Sequence, residues 1–136
     1  MQHARDICKA MLAEQVTTTN DPRLVGAFTK IGLTTPTDTR LEGLLAALEF
    51  LPPEDTALRA QIKAASKLGV AFLLRAQIVS GPFAAGVPAT MPGHTSVVMN
   101  AQARESGVRI DYVQHALCAW LRYENLFAHT GRAVPR

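Results

Sequence analysis

Hydrophobic residues recur at intervals of three and four along most of this chain, which is the spacing of residues on one face of an α-helix. Four stretches show this pattern and are predicted to be helices: about residues 4–16, 39–51, 54–79 and 109–129. Alternating apolar and polar positions, the pattern of a half-buried strand, occur only weakly, over residues 95–99. The sequence therefore predicts an all-α fold.

The second and third predicted helices carry recognisable signals at their ends. Thr39 and Glu42 have the spacing of a capping box, in which a hydroxyl and a carboxylate each bind a backbone amide at a helix start. Pro52 and Pro53 end the second helix, because proline has no amide hydrogen and clashes with the preceding turn. From Leu68 onward the third helix is apolar on all sides, which predicts that its last turns are buried.

The two connections between these helices are long, at about residues 17–38 and 80–108. Such connections are uncommon inside a compact domain unless they are functional or contain structure of their own. The second begins with a stretch rich in glycine and proline, residues 80–94, which raises the question of a phosphate-binding loop. It follows a helix rather than a strand, its prolines lack amide donors, and no Lys-Ser or Lys-Thr pair ends it. It is therefore predicted to be a connection only.

The two halves of the chain repeat one order of features, over residues 4–51 and 66–129. In each half a helix ends near a glutamine, Gln15 or Gln77, and a loop containing glycine and phenylalanine follows. Each loop leads to a helix that opens with a basic, an aliphatic and an acidic residue and then reaches an Ala-Leu pair. This order predicts two helical hairpins of one design, each of which needs a neighbour to bury its apolar face.

The stretch from Phe72 to Gln77, with the loop from Gly81 to Pro88, resembles the hairpin repeat of the α/α-toroid superfamily. That superfamily includes terpenoid cyclases, protein prenyltransferase β subunits and several polysaccharide lyases and hydrolases. The resemblance extends to residues 11–15 and 26–28, so it covers about two of the several hairpins that form a full toroid. It implies a partial toroid or a subunit completed by association. It implies no reaction, because the acidic cluster of the cyclases is not found.

Composition excludes several classes of function. The chain has 136 residues, of which 48% are hydrophobic, and this suits one domain with a core of its own. Its net charge of +3 comes without a basic cluster and with few aromatic residues, so nucleic-acid binding is not expected. Residues 68–74, the longest apolar run, are too few to span a membrane. No secretory signal and no cofactor motif is found, and a cytoplasmic location is expected.

The fourth predicted helix carries the main candidates for chemistry. Five residues three or four positions apart share one of its faces: Asp111, Gln114, His115, Cys118 and Arg122. His115 is a candidate general base, oriented by Asp111 one turn earlier, and Arg122 is a candidate for binding a carboxylate or phosphate. Gln114 and Cys118 of the same face, and His94 from the preceding loop, are candidate substrate-binding residues. The competing interpretation is a polar helix face turned to water.

Zinc binding and thiol chemistry are alternatives for the same face. Asp111, His115 and Cys118 have side chains that bind zinc, and prenyltransferase-like toroids hold zinc with an acid, a cysteine and a histidine. The spacing there differs, and one helix face seldom supplies a full ligand set, so no metal site is predicted. Cys118 activated by His115 would be a nucleophile. Neighbours on one helix rarely align for such a proton transfer, and Cys118 is predicted to be a packing residue.

Two functions are consistent with these features. The first is a ligand-binding or catalytic unit of the α/α-toroid kind that acts on a glycan or another elongated organic molecule. It predicts that Asp111, His115 and Arg122 converge with His94 or Asp38 on a concave pocket. The second is a non-catalytic helical module that self-associates or binds a protein partner. It predicts an exposed apolar patch of several hundred Å² and no such convergence.

Overall fold

The computed structural model of the protein describes residues 1–93 and 107–127. Within these ranges the chain forms four α-helices and one short 3₁₀ turn: α1 (Gln2–Ala13), the turn (Pro22–Leu24), α2 (Thr35–Phe50), α3 (Thr56–Ala76) and α4 (Ile110–Phe127). The same ranges contain no β-strand, and two isolated bridges join loop segments. The predicted all-α class is confirmed. The weak strand candidate at 95–99 and His94 lie outside the described residues.

Helix α2 begins a full turn earlier than the sequence pattern predicted. It starts at Thr35, and Pro36 fits its first turn because the amides there have no helical acceptor. Thr39 therefore lies inside the helix, where its hydroxyl donates to the carbonyl of Thr35 at 2.8 Å. The predicted capping box of Thr39 and Glu42 is wrong. The added turn carries Asp38, whose side chain is buried.

Helix α2 is the centre of the described fold, since α1, α3 and α4 all pack against it. Its side of the core consists of leucines at positions 41, 44, 45 and 48. Helix α3 approaches closely at Gly69, where a Cβ atom would lie 2.7 Å from Cδ2 of Leu41. The far end of α3 is not buried on all sides as predicted, because Leu74 is exposed. The core therefore lies mainly between α2 and α3.

The first long connection is closed by a small set of hydrogen bonds. The amide of Val16 donates to the carbonyl of Ala27 at 2.8 Å, and the amide of Gly26 donates back to the carbonyl of Val16 at 2.8 Å. The side chain of Gln15 donates to the carbonyl of Gly26 at 3.1 Å. Gly26 has a φ of 98°, and a Cβ atom there would collide with the backbone of Leu68. Glycine is therefore required at this position.

The second connection begins with the same pattern of hydrogen bonds. The amide of Ile78 donates to the carbonyl of Gly86 at 2.9 Å, and the amide of Ala85 donates to the carbonyl of Ile78 at 2.8 Å. The side chain of Gln77 donates to the carbonyl of Ala85 at 3.0 Å. Ala85 has a φ of 68° and occupies the place that Gly26 has in the first connection. The two glutamines at the helix ends thus have one structural role.

Helix α4 packs against α2; its fully buried side chains are Ala116 and Ala119, and partly buried large residues also pack against the core: Trp120, Tyr123, Leu126 and Phe127. Three apolar residues of α4, Ile110, Leu117 and Leu121, are exposed instead. No helix in the described ranges combines the length and the apolar character that crossing a bilayer requires. Helix α4 therefore has one face packed against the core, and its apolar residues Ile110, Leu117 and Leu121 lie outside that face.

Candidate functional site

Helices α2 and α4 line a groove with a volume of about 520 Å³. Its lining combines acidic, basic, amide and thiol groups with two leucines: Glu42, Glu49, Cys118, Leu121, Arg122, Asn125 and Leu126. The polar side of α4 is therefore not a face turned wholly to water. It forms one wall of a concave surface, and α2 supplies the other wall with two carboxylates.

His115 is paired with Glu42 of the neighbouring helix, and the imidazole Nδ1 lies 2.9 Å from Oε1 of the carboxylate. Both side chains are about one-third exposed, at 34% and 32%. A carboxylate has no proton to donate, so Nδ1 carries the proton, and a neutral His115 has its lone pair on Nε2. The hydrogen bond to Glu42 raises the pKa of His115, although partial desolvation opposes the rise. Glu42 thus orients the imidazole and favours its protonated form.

Asp111 has a different place from the one predicted for it. Its Oδ1 accepts a hydrogen bond from Nε of Arg109 at 3.0 Å, on the exposed side of the helix start. It does not hydrogen-bond to His115, whose carboxylate partner is Glu42. The negative charge of Asp111 still raises the pKa of His115 to a small degree. Asp111 is therefore a nearby charge at this site and not the group that orients the base.

Asp38 is completely buried beside this pair. Among the described residues, no side chain hydrogen-bonds to either of its carboxyl oxygens, and the backbone amide of Thr39 is the donor that acts on it. Burial raises the pKa of Asp38 to about 7, and the backbone amide of Thr39 and the charge of His115 offset part of that rise. An ionised carboxylate without partners in the interior costs considerable free energy, so the neutral acid is favoured. Asp38 therefore holds a proton over much of the pH range in which most carboxyl groups are ionised.

The other predicted site residues are distributed along and away from the groove. Arg122 and Cys118 line it, and Nε of Arg122 lies 3.7 Å from Oε1 of Glu49. Arg122 therefore already faces a carboxylate, which weakens the prediction that it binds an anionic ligand. Gln114 is exposed and is not part of the groove lining, and neither are Asp111 and His115, so the pair reaches the groove through Glu42. His94 lies outside the described residues.

Metal binding finds no support in the geometry of the described part of the chain. Within residues 1–93 and 107–127, no group of three or more His, Cys, Asp and Glu side chains is arranged to hold a metal ion. The acids around His115 illustrate why, since Asp111 is engaged by Arg109 and Asp38 is enclosed in the interior.

Comparison with known proteins adds no functional assignment. No family model, no curated protein and no solved structure matches this chain. The resemblance to α/α toroids accordingly depends on the sequence patterns described above. The function has to be argued from the site itself.

From the sequence, Glu42 was predicted to be part of a capping box with Thr39, and Asp38 was predicted to lie in the loop before α2. Both errors have one origin, the late start assigned to α2. Pro36 was the available signal, because proline is favoured in the first turn of a helix. A helix that starts there places Asp38 and Glu42 one turn apart on a single face. The pairing of that face with His115 was not available from the sequence, because it depends on how α4 packs on α2.

Proposed function

We propose that this chain is a ligand-binding or catalytic unit that acts on a glycan or another elongated organic molecule in the groove between α2 and α4. The observation that carries this proposal is the His115–Glu42 pair, of which Glu42 lines the groove, together with the buried carboxyl of Asp38 one helical turn before Glu42. A histidine whose pKa is raised by a carboxylate partner, close to a buried acid whose pKa is raised to about 7, is typical of acid–base sites.

The residues of the site have distinct roles in this proposal. His115 accepts or donates a proton at Nε2, and Glu42 fixes the imidazole through Nδ1. Arg122 with Glu49, together with Asn125, supplies both donors and acceptors along the groove. Such a mixture suits a hydroxyl-rich ligand better than a strongly charged one, because each hydroxyl both donates and accepts.

The α/α-toroid character of the unit is part of the same proposal. Its support is the shared hydrogen-bond pattern of the two connections, in which Gln15 and Gln77 have matching roles. Two hairpins of one design would present their second helices, α2 and α4, side by side. The groove proposed as the site lies between those two helices.

A direct test uses neutral hexose oligosaccharides and uronic acid oligosaccharides as probes, with binding followed by NMR shifts of the ¹⁵N-labelled chain. We expect shifts at groove residues with one of these probe classes. His115→Gln should weaken that binding by about tenfold, the effect of losing one charge-assisted hydrogen bond. Glu124→Gln is the matched control, since Glu124 is an exposed residue of α4 that does not line the groove. Equal affinity of the His115 variant and the parent chain would contradict the proposal.

A second candidate function has one specific observation in its favour. The uncovered apolar side of α4, formed by Ile110, Leu117 and Leu121, is suited to a helical module that self-associates or binds a protein partner. Light scattering of the parent chain should then give a mass above that of one copy. Leu117→Glu should restore the single-copy mass, whereas Leu74→Glu, a change at an exposed leucine of α3, should not. A single-copy mass at high concentration would contradict self-association.

A further inference from the structure

Asp38 and His115 lie on the two helices that form the groove, and each is close enough for its charge to act on the other. We propose that Asp38 and His115 form a coupled proton pair across the α2–α4 interface, in which Asp38 is a positioning residue that sets the charge of the imidazole. This inference rests on the proposed acid–base role of His115. It adds a group that determines when that role is available.

The first support is geometric. Asp38 is fully enclosed, and among the described residues no side chain hydrogen-bonds to either of its oxygens, which leaves the backbone amide of Thr39 as its donor. Buried polar groups in proteins are nearly always well hydrogen-bonded, so a buried carboxyl with so little support requires an explanation. Asp38 lies one helical turn before Glu42, whose carboxylate contacts Nδ1 of His115. The buried carboxyl thus lies one turn along α2 from the residue that holds the base.

The second support is the set of charges that face Asp38. Glu42 on its own helix and Asp111 on α4 are negative and oppose its ionisation, whereas His115 on α4 favours ionisation when protonated. Among the described residues, no charged group of α1 or α3 adds to these. Three carboxyl groups therefore surround one imidazole. Ionising all three together is disfavoured, and a proton is most easily retained on the enclosed one.

The coupling follows from the signs of these interactions. An ionised Asp38 raises the pKa of His115, and a protonated His115 lowers the pKa of Asp38. Protons on the two groups therefore compete, and the pair titrates as a unit rather than as two independent residues. When the imidazole takes up a proton from a ligand, Asp38 becomes easier to ionise. The net charge of the site then changes less than the charge of His115 alone.

The inference is tested by following the His115 imidazole by NMR across pH 4 to 9, with its signal assigned by comparison with His115→Gln. Asp38→Asn, which is neutral and nearly isosteric, should lower the titration midpoint of His115. Glu49→Gln is the matched control, because it removes a carboxylate from the same helix that does not act on His115. It should leave the midpoint unchanged. An unchanged midpoint in the Asp38 variant would overturn the coupling.

A reciprocal experiment keeps the inference testable if the Asp38 variant does not fold. In a chain labelled with ¹³C at aspartate carboxyls, His115→Gln should raise the titration midpoint of Asp38, because the opposing positive charge is gone. An unaltered midpoint would overturn the pair. Neither titration contains a ligand, so these results are separate from the oligosaccharide test. Loss of coupling with intact oligosaccharide binding would refute this inference alone, and coupling without binding would refute the proposed function alone.

Discussion

Helices α2 and α4 have corresponding sequences and very different surroundings. When their basic–aliphatic–acidic openings and Ala-Leu pairs are aligned, Leu41 corresponds to Ile110 and Leu48 to Leu117. Leu41 is 0% exposed and Ile110 is 87% exposed. Leu48 is 6% exposed and Leu117 is 48% exposed. The same register of apolar side chains is therefore core in one helix and surface in the other.

This difference shows what an apolar pattern does and does not specify. The spacing determines which residues share a helix face, but burial depends on what packs against that face. In α2 the face is covered by α3, which comes close at Gly69. In the described residues the packed face of α4 contains Ala116, Ala119 and several large side chains, and Leu117 and Leu121 lie outside it. A helix can thus have a core-like sequence at a position where the fold leaves one side uncovered.

The two helices also differ at their starts. Asp38, Thr39 and Arg40 are helical in α2, whereas residues 107–109, which correspond to them, precede the first turn of α4. The additional first turn of α2 contains the buried Asp38 and brings it close to His115. The proposed acid–base site is therefore asymmetric, with one helix supplying the base and the other supplying both carboxyl partners.

The largest expected effect tests the comparison directly. Leu48→Ala should lower the free energy of unfolding by about 3 kcal/mol, because it removes buried methyl groups and leaves a cavity. Leu117→Ala, the corresponding change in α4, should cost less than about 1 kcal/mol, because that side chain is half exposed. Urea unfolding of both variants measures the difference. Equal costs would mean that the uncovered side of α4 is buried in solution, by a partner or a second copy.

The next largest effect concerns Asp38, the buried acid in the first turn of α2. Asp38 has a pKa raised to about 7 in the folded chain, above its ordinary value in an unfolded one. The folded state therefore binds more protons, and stability is highest below pH 4 to 5 and declines as pH rises through about 7. Between pH 5 and pH 7 the free energy of unfolding should fall by about 2 kcal/mol.

The control for this pH dependence is the neutral variant. Asp38→Asn should remove most of the decline, because it cannot ionise, and Glu49→Gln should leave the decline as it is. Urea unfolding at pH 5, 6 and 7 provides the measurement. A parent chain whose stability rises over this range would contradict the assignment of a buried, protonated acid.

A smaller effect is expected at the contact that joins the two helices. Glu42→Gln should lower the pKa of His115, because the hydrogen bond to the carboxylate is the main cause of its rise. The stabilisation by this pair is present at low pH and is lost as pH rises through the folded pKa of His115. It should stay below about 1 kcal/mol, since water screens a pair that is one-third exposed. NMR titration of the imidazole gives the midpoint, and a midpoint that does not move would exclude Glu42 as its partner.

The smallest effect is expected at the other end of the groove. Arg122 and Glu49 are 3.7 Å apart and largely exposed, so their ion pair should contribute less than about 0.5 kcal/mol to stability. Arg122→Gln and Glu49→Gln should therefore unfold at urea concentrations close to that of the parent chain. A marked loss with either variant would indicate that this end of the groove is less exposed in solution than it is in the structure.

The sequence predicted where the helices lie in the chain better than it predicted which side chains of different helices contact each other. The apolar spacing identified four helical stretches, because that pattern is local. It missed the first turn of α2, where the capping-box signal at Thr39 outweighed the proline at Pro36. It placed His115 on a polar face correctly but gave it Asp111 as a partner. The observed partner, Glu42, is distant in sequence, and only the packing of α4 on α2 brings it near.

The buried, protonated state of Asp38 is tested most directly by the pH titration of its carboxyl carbon by ¹³C NMR in the parent chain. Its signal would be assigned by its absence in Asp38→Asn. We expect a midpoint near pH 7, with a matching inflection in the His115 imidazole. A midpoint near pH 4, the ordinary value for an aspartate, would contradict the buried acid and the coupled pair built on it.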